Sequence, residues 1–407
     1  MKPFYTTTIP FDWEEVKIKD VGKITSGTTP LRSNMEYHTN GTIPWVKTTD
    51  LNNSIIVHTE EKISEVALKE TSLRIYPVDT VLVAMYGGFN QIGRTGILGV
   101  GATINQALSA ITVNKSETDP IFLLNWLNAK VGLWKKLAGS SRKDPNITSK
   151  DVGDFPFLKM PLPEQKAIAN ILVLMDSFIN HNNQLIAQKE LRKKWLIQNL
   201  LTGKKRLKGF CGEWKEVHIK DVSKEVSLKN RGDKQLTVLS CTKYDGLVES
   251  LEYWGRKIYA DDISTYKIVP KNHFAYATNH IEEGSIGYQD FFDEAIISPM
   301  YTVFKTDSSI NDLYFYMLLK SHMLIYQYQN RMEGSIDRRG GLRWDAFSII
   351  KIHIPSYEEQ TAITQVLQAA DKEILLLKTK TDKLREQKKG MMQLLLTGKV
   401  RIKKLNL

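Results

Sequence analysis

Hydrogen-bonding side chains cluster in short, loop-like stretches of both halves of the sequence. Arginine and lysine can donate to guanine, asparagine and glutamine fit adenine, and serine or threonine can bond to either base. The candidates are Lys47, Thr48, Thr49, Tyr86, Gly87, Asn90, Gln91, Arg94, Arg142, Lys143, Thr242, Lys243, Tyr244, Asn279, His280, Arg331, Arg338 and Arg339. The stretches GGFNQ and RRGG are the strongest candidates, because glycine lets the backbone approach a ligand closely. Each stretch could equally be an ordinary polar surface loop.

Sequence motifs for catalysis are missing. An adenine methylase needs an Asn/Asp-Pro-Pro-aromatic loop, and Asp144-Pro145-Asn146-Ile147 lacks the second proline and the aromatic residue. The sequence contains neither a G-x-x-x-x-G-K-[ST] phosphate loop, which an ATP motor would need, nor an H-E-x-x-H zinc motif. Two cysteines form neither a disulfide framework nor a metal cluster. The sequence therefore predicts a non-catalytic chain that holds no cofactor and no metal of its own.

The net charge of +11 predicts a polyanionic partner. Basic residues concentrate in residues 188–208 and 378–404, among them Arg192, Lys193, Lys194, Arg385, Lys388 and Lys389. These side chains could contact DNA phosphates, but they could equally be solvated or face a protein partner. No apolar run reaches the ~18 residues of a membrane span, and the N-terminus has no apolar signal segment. We therefore expect a cytoplasmic protein that does not interact with membranes.

An internal repeat organises the chain. Residues 164–206 align with residues 359–401 without a gap, and 16 of the 43 positions are identical, including the pentapeptide LLTGK. A second match lies nearer the N-terminus of each half: WEEVKIKDV at 13–21 resembles WKEVHIKDV at 214–222. Such a repeat indicates two copies of one structural unit, each a variable segment followed by a similar helix.

The variable segments, residues 22–160 and 223–355, are predicted to be mixed α/β globules. Both contain β-branched or aromatic runs broken by Gly, Pro or Asn, and each ends with a short helix, PIFLLNWLNAKVGLWKKL or NDLYFYMLLKSHMLIYQY. The predicted fold class is α+β. The predicted boundaries are 1–160 and 204–355 for the globules, 161–203 and 356–399 for the long helices, and 400–407 for a basic tail.

The repeated segments are predicted to form long helices. Ser356 and Glu359 make a capping-box pattern at the start of the second helix, and Gly203 and Gly398 suit the two helix ends. About 40 residues at ~1.5 Å per residue give rods of roughly 60 Å. Residues spaced alternately by three and four form a coiled-coil seam. The seam residues are Ile168, Leu172, Ile179, Asn182, Ile186, Leu196, Leu200, Ile363, Leu367, Ile374, Leu377, Thr381, Leu384 and Leu395.

Polar residues within the seam favour antiparallel pairing of the two helices. Parallel pairing in register would put Lys193 against Lys388, two like charges in an apolar seam, which is unfavourable. Antiparallel pairing about a local two-fold lets each lysine extend along a small or apolar neighbour and keep its ammonium in water. The predicted opposite pairs are Asn182–Thr381, Lys193–Ala370 and Lys388–Met175. The alternative is a pair of core helices in separate domains that do not contact each other.

Antiparallel rods would place one globule near each end, related by a pseudo-two-fold axis. A spacer of roughly 60 Å corresponds to about 18 base pairs at ~3.4 Å per pair. Because the globules differ in sequence, we predict a DNA target made of two different half-sites separated by a fixed gap.

Over essentially its full length the chain resembles the specificity (S) subunit of type I restriction–modification systems. The matching stretches are WEEVKIKDV at 13–21, SGTTP at 26–30, IPWV at 43–46, PLPEQ at 161–165, LLTG at 200–203, EEQ at 358–360 and LLTG at 395–398. Their order, which occurs twice, carries the resemblance. The second half lacks SGTTP and IPWV, and such divergence is expected in this family of domains that read different sequences.

The resemblance implies two target-recognition domains that each read half of a bipartite site in double-stranded DNA. It also implies that the conserved helices form the antiparallel spacer and bind methyltransferase (M) subunits, which we expect to be two, and that restriction (R) subunits join through these. S-adenosylmethionine for methylation and ATP for translocation would then be cofactors of the partners. The sequence leaves two other hypotheses open: a coiled-coil adaptor whose globules bind proteins, and a self-sufficient methylase or nuclease.

Overall fold

The computed structural model describes residues 9–88, 90–138, 146–231, 235–332 and 341–402. The chain folds into two compact units. Unit 1 combines residues 1–183 with residues 379–407, and unit 2 comprises residues 184–378. The compact units therefore differ from the boundaries predicted from the sequence, because each unit contains one globule together with part of both long helices.

Unit 1 contains a mixed α/β globule. Its strands in the described ranges are β1 Glu14–Lys17, β2 Gly22–Ser26, β3 Ile43–Val46, β4 Ile55–Ile56, β5 Glu61–Ile63, β6 Val81–Ala84, β7 Thr95–Leu98, β8 Thr103–Ile104, β9 Leu108–Val113 and β10 Pro156–Lys159. Its helices are α1 Ile18–Val21, α2 Glu65–Glu70, α3 Pro120–Ala129, α4 Val131–Ala138, α5 Ser149–Gly153 and the first part of α6 Leu162–Leu200.

The sheets of unit 1 have antiparallel and parallel pairs. The larger sheet has the order β2-β9-β6-β7-β4, in which only β4 runs parallel to its neighbour β7, and a smaller sheet has the order β5-β3-β8. Strand β1 pairs antiparallel with β10, with Glu14 opposite Lys159. The main core joins Trp126 and Phe157 of the globule to Leu172 of α6 and to Leu395. The globule is therefore built onto the long helices rather than linked to them by a flexible segment.

Unit 2 also contains a mixed α/β globule. Its strands in the described ranges are β11 Lys215–His218, β12 Ser223–Glu225, β13 Val238–Thr242, β14 Gly246–Glu249, β15 Lys267–Pro270, β16 His273–Ala277, β17 Ile286–Gln289, β18 Glu294–Ile297, β19 Tyr301–Thr306 and β20 Lys351–Ile354. Its helices are α7 Ile219–Val222, α8 Ser250–Trp254, α9 Asp312–Leu319, α10 His322–Arg331, α11 Trp344–Ser348 and the first part of α12 Tyr357–Leu395. Its sheets have the orders β12-β19-β16-β17, β14-β13-β18-β15 and β11-β20.

The helix predicted near the end of each globule is in fact a pair of helices. In unit 1, α3 ends at a C-cap on Lys130 before α4 begins. In unit 2, Lys320 is the C-cap of α9. The Ser321 side chain then accepts a hydrogen bond from Leu324 N at the start of α10. The prediction of one continuous helix was wrong, because a local cap satisfies the backbone groups that a continuous helix would have paired.

The long helices α6 and α12 each contain 39 residues, close to the predicted length. Within unit 1, Asp176 pairs with Lys388 and Asn183 with Arg385. Residue numbers therefore fall along α12 as they rise along α6. Within unit 2, Lys193 likewise pairs with Asp371, and Arg206 with Glu359. The predicted antiparallel pairing is therefore confirmed in each unit.

The two seam lysines have partners that the sequence analysis did not predict. The ammonium groups of Lys193 and Lys388 bind the partly exposed carboxylates of Asp371 and Asp176. These aspartates are one residue beyond the positions predicted to lie opposite, and they are themselves equivalent in the repeat. Asn182 and Thr381 are both buried, as a polar layer in the seam requires.

The starts of the long helices are tied to the globules by repeated side chains. In unit 1, buried Gln165 accepts a hydrogen bond from the N–H of Asp119, the N-cap of α3, at 2.9 Å, and donates to Met160 O at 2.8 Å. In unit 2, buried Gln360 accepts from the N–H of Asn311, the N-cap of α9, at 2.8 Å and donates to Pro355 O. The same glutamine thus orients a globular helix in both units.

An arginine after the end of each long helix binds the start of the other long helix. Arg401 makes two hydrogen bonds of 2.7 Å to Glu164 and two of 2.8 Å to Asp12. Arg206 makes two hydrogen bonds of 2.5 Å to Glu359. We call these two ion pairs the arginine clamps. Arg401, which the sequence analysis placed in the basic tail, thus contacts two residues of unit 1.

The arginine clamp in unit 2 also corrects the predicted capping box. Ser356 Oγ does accept a hydrogen bond from Glu359 N, at 3.4 Å. The Glu359 carboxylate, however, binds Arg206 instead of returning to the N-cap backbone. The arginine supplies two charge-assisted hydrogen bonds from a cation, whereas the capping box would have supplied one bond from a backbone N–H.

The clamp in unit 2 gives a prediction for stability. Arg206→Ala leaves the carboxylate of Glu359, which is 1% exposed, without its cation. We expect a loss of about 2–3 kcal/mol, less than the ~3–5 kcal/mol of a fully buried pair because Arg206 is partly exposed. Urea denaturation would measure the change. The control is Lys351→Ala, which removes an exposed pair with Glu216 and should leave the midpoint unchanged; equal midpoints for the two variants would contradict the prediction.

Candidate nucleic-acid interface

Four residues of the predicted stretch GGFNQ, Gly87, Gly88, Asn90 and Gln91, lie in the hairpin loop between β6 and β7, and Phe89 lies outside the described residues. Gly87 and Gly88 have positive φ angles of 112° and 85°, a conformation that favours glycine, and space around Gly88 is open. Asn90 is exposed. The guanidinium of Arg94 donates to Gln91 Oε1 at 3.0 Å, which orders both side chains on the same loop. The loop thus presents amide and guanidinium groups beside glycine backbone that no side chain covers.

Two of the predicted clusters of unit 1 lie together. Thr48 begins a 3-10 helix, Thr48–Asp50, and its hydroxyl oxygen is 3.8 Å from the position that a Cβ would occupy on Gly87. Thr49 is exposed beside it, and Tyr86 is 38% exposed at the start of the hairpin loop. The segment before β4 and the β6–β7 hairpin therefore share one surface.

Lys47 is held by acidic residues rather than presented to a ligand. Its ammonium pairs with Glu61 at 2.6 Å and Glu60 at 3.0 Å, and Arg32 also pairs with Glu61. The hydrogen bond from Arg32, together with Lys47, lowers the pKa of Glu61 to about 2. The structure therefore assigns Lys47 to an internal charge network, which short-range sequence spacing did not predict.

In unit 2 three predicted clusters converge. Lys243 O is 3.8 Å from the position of a Cβ on Gly284, so the β13–β14 turn lies beside the turn after His280. A Cβ on Gly341 would be 2.6 Å from Asn279 Oδ1, and Leu342 N donates to Thr278 O at 2.9 Å. The end of the RRGG stretch therefore packs against the Thr278-Asn279-His280 segment.

A cleft of about 370 Å³ opens at this convergence. Its wall includes Thr278, Asn279 and His280, and it also includes Ser240 and Tyr259. None of its lining residues is a lysine, an arginine or an acid, so it offers neutral donors and acceptors rather than charge. Sequence analysis missed Ser240 and Tyr259, because their distance along the chain from Asn279 leaves no recognisable spacing.

The remaining predicted residues of unit 2 surround the same turns. Tyr244 is 81% exposed, with the Lys243 ammonium 5.5 Å from its ring centroid. Thr242 Oγ1 accepts a hydrogen bond from Asp245 N and shapes the turn. Arg331 is exposed at the end of α10. Arg142, Lys143, Arg338 and Arg339 lie outside the described residues.

His280 also belongs to a small group with Glu282 and Glu283. One potential ligand atom from each of the three side chains lies within 4.8 Å of the others. Exposed groups of this kind are common without a metal, so the predicted absence of a metal site stays a prediction. No helix within the described ranges is long and apolar enough to cross a membrane.

Several basic residues of the long helices already have partners. Lys193 and Lys388 bind aspartates, and Arg385 donates to Asp382 and to Asn183. Their predicted contact with phosphate is therefore limited by existing ion pairs. By contrast, Arg192, Lys194 and Lys389 are exposed.

The predicted seam residues face the interior to different degrees. Ile186, Leu196, Leu377 and Leu384 are half-buried. The others are buried: Ile168, Leu172, Ile179, Asn182, Leu200, Ile363, Leu367, Ile374, Thr381 and Leu395. The predicted seam therefore buries ten of its fourteen residues.

Comparison with known proteins identifies the family. The model of the type I restriction modification DNA specificity domain matches residues 10–191 and 212–386. The MjaVIII type I restriction enzyme specificity subunit of Methanocaldococcus jannaschii is 25% identical across the whole chain and 97% of that protein. The MjaIX specificity subunit of the same organism is 32% identical over 46% of this chain and 45% of that protein.

A solved structure has the same fold. The crystal structure of the HsdS subunit from Thermoanaerobacter tengcongensis superimposes with a TM-score of 0.57 at 15% sequence identity, covering 97% of this chain and 99% of the other. The chain belongs to the type I restriction modification DNA specificity family, whose members recognise DNA sites as the non-catalytic specificity subunits of type I restriction–modification complexes.

The charge network around Glu61 gives a prediction for pH. Because the folded-state pKa of Glu61 is about 2 and its ordinary value is 4.5, its ion pairs stabilise the protein fully above pH 4.5. That contribution is lost as the pH falls from 4.5 towards 2. Denaturation midpoints should therefore differ between wild type and Glu61→Gln at pH 6, and converge as the pH falls below 4.5. A constant difference across this range would contradict the prediction.

Proposed function

We propose that each unit reads one half of a bipartite, asymmetric site in double-stranded DNA. This proposal rests on one observation made in each unit. A polar side chain from one segment lies next to a glycine of a segment that is distant in the sequence. In unit 1 Thr48 meets Gly87, and in unit 2 Asn279 meets Gly341. Bare backbone beside amide and hydroxyl groups suits contact with base edges in the major groove.

The two surfaces differ in chemistry, which supports different half-sites. The hairpin of unit 1 carries Asn90, Gln91 and a guanidinium, Arg94. The cleft of unit 2 is lined by neutral groups, including Asn279 and His280. Since discrimination between bases depends on the pattern of donors and acceptors, these surfaces should select different sequences.

Paired substitutions test the assignment of the two surfaces. Asn90→Ala and Asn279→Ala each remove one amide, and a bidentate amide–adenine pair contributes ~1–3 kcal/mol of discrimination. In the methyltransferase complex, each variant should relax the methylated motif at a position in a different half-site. Sequencing of methylated DNA would show this, and each variant is the control for the other. If both variants methylate an unchanged motif with unchanged efficiency, these loops are not the readers.

We further propose that the long helices bind two methyltransferase subunits, with restriction subunits joining through them. Large apolar side chains stand exposed on both helices, which is unfavourable for a surface that stays in water. These residues are Val173, Leu174, Phe178, Leu191, Trp195, Leu375 and Leu376. S-adenosylmethionine and ATP would be bound by those partners, because the sequence of this chain has neither a methylase nor a phosphate-loop motif. Such a complex would act on DNA in the cytoplasm.

A substitution on α6 tests the docking surface. Phe178 is 50% exposed on α6, next to the buried seam residue Ile179. Phe178→Asp should weaken binding of the methyltransferase subunit more than about tenfold, as expected for an aromatic anchor of an interface. Phe178→Leu, which stays apolar, should retain binding and serves as the control. Titration of the purified chain with the methyltransferase subunit would measure both, and equal affinities would place the interface elsewhere.

A further inference from the structure

A second cleft, of about 770 Å³, lies within unit 1. It is distinct from the β6–β7 hairpin loop described above, which we call the reader hairpin. Three parts of the unit line it: the segment 52–54, the junction of α3 and α4, and the helices α6 and α12. The cleft is open to solvent along its length. We call it the basic cleft.

The charge of the basic cleft is strongly one-sided. Its lining includes five cationic side chains and a single carboxylate, that of Asp176. The cations are Lys130, Arg385, Lys388, Lys389 and Lys399. Two of the cations are already paired, Lys388 with Asp176 at 2.5 Å and Arg385 with Asp382 at 2.6 Å. Lys389 and Lys399 are exposed and form no ion pair with any residue of the described ranges.

Lys130 adds a partly desolvated charge. It is the C-cap of α3, and its ammonium lies 5.0 Å from the ring centroid of Trp126. Burial lowers its pKa below the usual lysine range. An anion in the cleft would offset this cost of holding a charge away from water.

Neutral donors stand beside the cations and connect the cleft to the reader hairpin. Asn53 has a positive φ of 59°, and its amide oxygen accepts from Thr95 N at 3.0 Å. The Asn128 amide donates to Asn53 O at 2.9 Å. Thr95 directly follows Arg94 of the hairpin loop. Asn53 therefore joins the lining of the basic cleft to the start of β7, the strand that follows the hairpin loop.

We propose that the basic cleft binds the phosphate backbone of the DNA that flanks the half-site read by unit 1. This inference rests on the proposed function. Lysine ammonium groups and amides are the usual donors to phosphate oxygens, and such contacts add affinity without sequence preference. The excess of cations in the cleft, and its position beside the strand that follows the hairpin loop, favour the backbone of the same duplex.

The equivalent positions of unit 2 are only partly the same. Lys320, which caps α9 as Lys130 caps α3, donates its ammonium to Lys243 O at 3.0 Å. The position equivalent to Arg385 in the repeat is Glu190, which pairs with Lys378, whereas Lys389 and Lys399 have the lysine counterparts Lys194 and Lys204. At two of the five cation positions unit 2 therefore has an acid or an engaged ammonium, and the phosphate contact is proposed for unit 1 alone.

The test compares two double variants in the complete methyltransferase complex. Lys389→Gln with Lys399→Gln removes two exposed charges of the basic cleft. Lys204→Gln with Lys205→Gln removes two exposed lysines at the corresponding end of α6, where Lys204 is the repeat counterpart of Lys399. The probe is a fluorescent duplex of random sequence, titrated at several salt concentrations. The methylated motif and the retention of the methyltransferase subunit are measured in parallel.

The expected result is a weaker but equally specific complex. Each lost phosphate contact should lower the slope of log K against log salt by about 0.9 and the affinity by about fivefold at physiological salt. The control should keep the wild-type slope, and all variants should methylate the same motif. An unchanged slope for the Lys389/Lys399 variant would overturn the proposal while leaving the reader assignment intact. Loss of the methyltransferase subunit with unchanged DNA binding would instead assign the cleft to that protein. A wild-type complex that does not bind DNA would overturn the proposed function itself.

Discussion

The arginine clamps are the interaction on which the rest of the structure depends. In each, a bidentate guanidinium joins the segment after one long helix to the first turn of the other, and so closes a link between residues more than 150 positions apart. Glu164 and Glu359 are almost completely buried, so removal of either arginine leaves a carboxylate without its cation. The clamps therefore stabilise the antiparallel pairing of the helices together with the globule of each unit.

The globule in each unit is oriented by the same helix start. Gln165 and Gln360 bind the N-caps of α3 and α9, which pack in the cores beneath the sheets. Those sheets carry the β6–β7 hairpin of unit 1 and the turns of unit 2 in which the candidate readers lie. A rigid path thus runs from the seam of the helices to the polar loops. This path is made of repeated residues, whereas the loops themselves have diverged.

Features with local periodicity or direct repetition could be predicted from the sequence. The long helices and their seam follow from the spacing of residues such as Ile168, Leu172 and Ile179, and antiparallel pairing follows from the like charges of Lys193 and Lys388. The clamps could not be predicted, because Arg401 and Glu164 are 237 positions apart and no local spacing links an arginine to a glutamate over that distance. The capping-box prediction failed for the same reason, since a distant arginine outcompeted a local backbone bond.

The reader surfaces were predicted only in part. The composition of GGFNQ and of the segment around Asn279 identified loops that do lie on shared surfaces, because glycine next to amides is a local signal. The ion pair of Lys47 with Glu61 could not be predicted, since it depends on pairing between β3 and β5. The basic cleft gave no signal beyond the charge of α12, because Asn53, Lys130 and Lys399 meet only after the chain has folded.

The arginine clamps also constrain how the gene can vary. Arg206 contacts Glu359 and Arg401 contacts Glu164, so each residue has its partner in the other copy of the repeat. A mutation at one of these codons must be matched by a change encoded hundreds of nucleotides away. Selection should therefore hold the two copies to a common pattern at these positions, while the loops that lie between them drift apart freely.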